Sequence, residues 1–107
     1  MNNMIKSAIR QDKKRVEYML ESYKAELKSL PKGTISEKRV GNKTYYYLKY
    51  RQGSKVISDY ISKEDLSGVK EIIERKQHIK TMIRFLKLEK DTADRLLRNK
   101  AGNRGLR

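Results

Sequence analysis

The sequence predicts an α+β protein: a long N-terminal helix, a three-stranded antiparallel β-meander and a long C-terminal helix, the two helices antiparallel in a coiled-coil-like stalk. Three observations carry this. Between Gly33 and Ile61 the chain is rich in β-branched and aromatic residues and is broken twice by turn residues. On both sides of that stretch, apolar residues recur at helical spacings. Pro31 and Gly33 punctuate the join between the first helical pattern and the first strand.

The first helix is expected over residues 4–30, where Ile5, Ile9, Val16, Met19, Leu20, Tyr23, Leu27 and Leu30 form one stripe. The meander occupies residues 33–61, with strands at Thr34–Val40, Thr44–Arg51 and Lys55–Ile61 and tight loops at Gly41-Asn42 and Gln52-Gly53. With two-residue loops at those places, Ile35 faces Leu48 and Leu48 faces Ile57, and Tyr46 and Ile61 share their side. That side is the expected core face. The opposite side collects Ser36, Lys38, Tyr45, Tyr47, Lys49, Arg51, Val56, Ser58 and Tyr60. The second helix is expected over residues 63–99, with Ser62 as N-cap and Glu64 and Asp65 in its first turn.

Ile72, Ile79, Leu86 and Ala93 recur at seven-residue intervals, and Val69, Lys76, Ile83, Lys90 and Leu97 form a neighbouring row interrupted by two lysines. A helix this long carries more apolar stripe than a small sheet covers. It is therefore expected to pair with the first helix, with a dimer or four-helix association as a further step. Residues 1–100 are read as a single α+β domain, followed by a flexible basic tail over 101–107.

Charge bounds the function. Twenty-seven Lys and Arg against 13 Asp and Glu give a formal net charge of +14 in 107 residues, which calls for a polyanionic partner, nucleic acid before an anionic membrane. Cysteine is absent, which removes a disulfide framework and thiolate chemistry. No run of apolar residues is long enough for a signal peptide or a membrane span, so a soluble, cytoplasmic protein without membrane partners is expected.

The best candidate site is the tyrosine and lysine side of the meander: Lys38, Tyr45, Tyr47, Lys49, Arg51 and Tyr60. Cations meet phosphates, and flat rings or hydroxyls meet bases and backbone. The competing reading is structural, since tyrosine suits strands and a helix or second protomer could cover the rings. On the second helix, Lys76, Lys80, Arg84 and Lys87 form a cationic strip, with Lys80 and Arg84 the added candidates for phosphate contact. Arg98, Lys100, Arg104 and Arg107 could act as a basic arm.

Signals for catalysis are missing. His78 is the one histidine, so a metal site lacks ligands, and no cofactor is expected. Glu37 and Asp59 lie on the core face with Tyr46 between them in the register above, and they are read as partners of Arg39, Lys55 or a tyrosine hydroxyl rather than as an acid pair. Nucleotide-binding glycine loops are absent too, and the protein is expected not to be an enzyme.

The run Leu30–Asp65, with Gly33, Ile35, Lys38, Gly41, the Tyr45-Tyr46-Tyr47-Leu48 stretch, Arg51, Gly53 and Tyr60, resembles small basic proteins of bacteria, archaea and their mobile elements whose function is uncharacterised. That resemblance implies helix, Tyr-rich meander and second helix, and no activity. More loosely, a meander followed by a helix resembles the three-stranded arm-type DNA-binding domains of tyrosine recombinases. The implied groove-facing positions are Lys38, Tyr45, Tyr47, Lys49, Arg51 and Tyr60. The resulting expectation is a nucleic-acid-binding accessory protein, of DNA or RNA, dimeric or lodged in a larger nucleoprotein assembly. The alternative is a phage- or plasmid-type modulator or inhibitor that docks through its helices and basic surface onto a nucleic-acid machine, with partner capture through Ile79 and Leu86.

Overall fold

A computed structural model of the chain describes residues 2–98. The elements follow in the order α1 (Asn3–Ser29), β1 (Thr34–Val40), β2 (Lys43–Gln52), β3 (Lys55–Ile61) and α2 (Lys63–Arg98). Asn99 and the expected basic tail, with Lys100, Arg104 and Arg107, lie outside the described residues.

Local chemistry sets the boundaries. Asn2 caps α1: its Oδ1 accepts a hydrogen bond from the Ile5 amide at 2.8 Å. The helix stops at Ser29, ahead of Pro31. Ser62 Oγ accepts from the Asp65 amide at 3.3 Å, with Glu64 and Asp65 in the first turn of α2 against its dipole.

Both hairpins turn on a glycine. Gly41 and Gly53 have φ of 64° and 65°, and among the described residues no non-glycine residue has positive φ. A lone positive φ at the first loop position is where a type II′ turn puts its glycine. This corrects the expected second loop. Gln52 pairs with Lys55, so the loop is Gly53-Ser54 rather than Gln52-Gly53. Leu48 consequently faces Asp59, not Ile57, and Ile57 faces Tyr50. The displacement along β3 is two residues, an even number, so every side chain keeps its side of the sheet.

The described residues divide into two compact units, 28–78 and 2–27 with 79–98, and α2 contributes to both. In the first unit the sheet has the order β1-β2-β3, all antiparallel. Ile61 is buried, and Ile35, Tyr46, Leu48, Tyr50 and Ile57 are half-buried on the same side. The first turns of α2 lie against this side, because Lys70 Nζ sits 5.5 Å from the centroid of the Tyr46 ring. Lys76 Nζ reaches the Gly33 carbonyl at 3.5 Å.

The second unit pairs α1 with the later part of α2. Val16, Leu20 and Leu86 form its buried cluster, flanked by Met19, Tyr23 and Ile83, and each fully buried aliphatic side chain contributes about 1.5–3 kcal/mol. Ile79, Leu86 and Ala93, three members of the seven-residue series, are the buried residues of α2. The helices run antiparallel: Lys13 meets Asp94 at 2.6 Å and Lys90 meets Glu17 at 3.8 Å. Arg15 Nη2 bridges two acids, Asp12 at 2.9 Å and Glu89 at 2.6 Å. The ammonium groups of both lysines that interrupt the apolar row, Lys76 and Lys90, thus reach an oxygen.

Candidate nucleic-acid interface

Pleating decides which residues share the site. Thr34–Val40 pairs with Lys43–Lys49 and Tyr46–Gln52 pairs with Lys55–Ile61. Alternation therefore places Lys38, Lys43, Tyr45, Tyr47, Lys49, Arg51 and Tyr60 on one side of the sheet. The four cations among them are exposed. The two carboxylates of the meander go to the other side. Asp59 accepts a hydrogen bond there from the Tyr50 hydroxyl at 3.0 Å, and Glu37 stands opposite Tyr46. Asp59 faces Leu48, so the two acids do not flank Tyr46 as the expected register had them.

The three tyrosines form a cluster. Tyr47 and Tyr60 are cross-strand partners with ring centroids 5.8 Å apart at 68°, edge to face. Tyr45 lies diagonally, 6.4 Å from Tyr60 at 55°. Tyr45 and Tyr47 are half-buried, and Tyr60 is 58% exposed. Beside the rings an open hollow of about 650 Å³ runs between Lys38, Ser36, Tyr47, Lys49, Val56 and Ser58, with Glu37 contributing to its β1 wall.

The structure brings together Lys38, Tyr45, Tyr47, Lys49, Arg51 and Tyr60, all of which sequence reasoning selected. Lys43 was missed because the second strand was expected to begin at Thr44; its spacing of two from Tyr45 was the available signal. Lys80 and Arg84 are exposed on α2 and belong to the helical unit, not to the unit that carries the sheet. Lys76, expected on the same strip, is instead half-buried with its ammonium on the Gly33 carbonyl. Arg98 is exposed. His78 is exposed on α2, and among the described residues no three His, Asp or Glu side chains gather as a metal site would require. No described helix is long and apolar enough to cross a membrane.

Residues 4–71 match the model of a domain of unknown function, DUF6788. The chain belongs to this family. The DUF6788 match takes in α1 from its second residue, the whole meander and the first turns of α2, and so contains every residue of the tyrosine and lysine face. Lys80 and Arg84 lie beyond it. No curated protein matched the chain, and no solved structure matched it.

Proposed function

We propose that the protein is a nucleic-acid-binding accessory protein that grips the phosphate backbone with one side of its meander. The observation that carries this is the sorting of charge by the pleat. Lys38, Lys43, Lys49 and Arg51 share a side with three clustered tyrosines, while Glu37 and Asp59 are sent to the other. Local cationic potential without opposing carboxylates attracts phosphates, and tyrosine supplies ring faces and hydroxyls to bases and backbone. The looser likeness to arm-type DNA-binding domains, which rests on a meander followed by a helix, would make Lys38, Tyr45, Tyr47, Lys49, Arg51 and Tyr60 the groove-facing positions. No chemical step is assigned, and lodging in a nucleoprotein assembly or dimer belongs to the same proposal. The test is a filter-binding titration of purified protein against duplex DNA, single-stranded DNA and structured RNA at two ionic strengths. Binding to at least one that weakens with salt supports the reading, and no binding to any at low salt contradicts it.

A second reading, a modulator that docks on a nucleic-acid machine through its helices, is favoured by Phe85 and Leu88, which are 57% and 59% exposed on α2. Ile79 and Leu86, expected to capture such a partner, are buried at 0% and 3% exposure. They are core residues because the seven-residue spacing marks the inward stripe. Docking would fall to Phe85 and Leu88.

A further inference from the structure

At one end of the sheet, where β2 begins and β3 runs into α2, lies a hollow of about 380 Å³. It sits within the unit formed by residues 28–78. Three tyrosines are among the residues that line it, Tyr45 and Tyr60 from the cationic side of the sheet and Tyr46 from the other. Lys43, Lys63 and Asn42 are among the residues that line it, two cationic side chains and an amide. None of the residues around it carries a carboxylate.

Each part has a chemical counterpart. Ring faces stack on a flat heterocycle, an amide both donates to and accepts from base edges, and ammonium groups take a phosphate. Glu64 and Asp65 already occupy the first turn of α2, so the attraction for an anion rests on the two lysines and not on the helix end. The volume falls at the small end of ligand sites, which run to about 300–1,000 Å³. A base held in a duplex keeps both faces stacked on its neighbours, so a base can enter such a hollow only when it is out of the stack.

We propose that this hollow is a mononucleotide subsite that takes one unpaired base with its phosphate. The inference rests on the nucleic-acid reading above and sharpens it: the partner presents single-stranded or extruded bases, and the cationic side of the sheet tracks the backbone beside the held base.

The test is a titration of the ¹⁵N-labelled full chain, followed by amide chemical shifts, with three probes: adenosine monophosphate, adenosine and inorganic phosphate. Adenosine monophosphate should move the amides of Asn42, Tyr46 and Lys63 in a saturable way, with adenosine acting more weakly at the same amides. A double variant, Lys43→Ala with Lys63→Ala, should lose about tenfold in affinity for the monophosphate and little for adenosine, as befits removal of charge-assisted phosphate contacts. Asn42 is in a turn with negative φ, so Asn42→Ala keeps the fold, and it should weaken both nucleoside probes. If none of the three probes shifts these amides while a duplex shifts Lys38, Lys49 and Arg51, the subsite is wrong and the backbone-gripping face stands. Equal shifts with inorganic phosphate and the monophosphate would also overturn it, by reducing the site to an anion contact. Should no nucleic acid or nucleotide shift any of these residues, both readings fall.

Discussion

The Tyr50 hydroxyl donates a hydrogen bond to Asp59 Oδ2 at 3.0 Å on the side of the sheet away from the tyrosine cluster. Ser58 and Tyr60, its neighbours in sequence, point the other way. The bond holds the phenol proton against a carboxylate, which pushes the Tyr50 pKa up. One position along β3 thus decides whether a negative charge meets the cations. Ser58→Asp should weaken nucleic-acid binding roughly tenfold, about what the loss of one ion contact does at moderate salt. Asp59→Asn should change it little. Equal effects in a fluorescence anisotropy titration would contradict the assignment of sides.

Gly33 joins α1 to the sheet with φ of 121°, a region that L side chains rarely adopt. A Cβ there would stand 2.7 Å from the Lys49 carbonyl oxygen and 3.0 Å from Leu48 Cδ1. Backbone cannot yield as a flexible side chain would. Gly33→Ala should cost about 1–3 kcal/mol from the backbone alone, whereas Gly53→Ala, whose Cβ meets nothing within 4 Å, should cost about 1–2 kcal/mol. Thermal unfolding followed by circular dichroism ranks the two variants, and a smaller effect at Gly33 would be the contrary result.

Leu86 and Phe85 are adjacent in sequence, and they have opposite surroundings. Leu86 packs with Val16 and Leu20, and Phe85 is 57% exposed. Leu86→Lys places an ammonium among aliphatic side chains and should unfold the helical unit, since even truncation of such a leucine costs about 2–5 kcal/mol. Phe85→Lys should leave helicity unchanged. If the modulator reading holds, Phe85→Lys together with Leu88→Lys should abolish partner capture without loss of fold.

Acid should loosen the pairing of α1 with α2 through Asp94. Its hydrogen bond with Lys13 holds its carboxyl below the ordinary aspartate range. A depressed carboxyl stabilises the fold above its unfolded value and loses that contribution as pH falls through its folded value. Glu89 runs the other way. Its hydrogen bond with Asp12, which is itself held low, pushes Glu89 up, so its contribution is present in acid and is lost as pH rises through the raised value. Asp94→Asn should therefore flatten the acid limb of Tm against pH, and Glu89→Gln should lessen the loss of Tm from acid to neutral pH. Superimposable profiles for all three proteins from about pH 3 to about pH 8 would rule this out.

Much of this architecture was legible in the residues. Seven-residue spacing picked out Ile79, Leu86 and Ala93, and Ser62 announced its cap, because both signals are local and periodic. The sides of the sheet were legible as well: period-two alternation survives an even slip, so taking Gln52-Gly53 for the loop misplaced Asp59 along β3 without moving it across the sheet. Other features depend on contacts remote in sequence. That Lys76 gives its ammonium to the Gly33 carbonyl follows from where α2 lies on the sheet, which spacing within α2 does not encode. Lys43 was passed over because a residue beside a turn reads as loop until its partner, Val40, is known.

The central claim, that the cationic side of the meander takes phosphates, is tested most directly by the salt dependence of nucleic-acid affinity. Four cations on that side give a log-log slope of roughly −3.6 on a duplex if each meets one phosphate. Lys49→Ala combined with Arg51→Ala should make it shallower by about 1.8, while Tyr47→Ala should weaken binding about tenfold with little change of slope. A slope that the double variant leaves unaltered would show that phosphates, if bound at all, are held elsewhere.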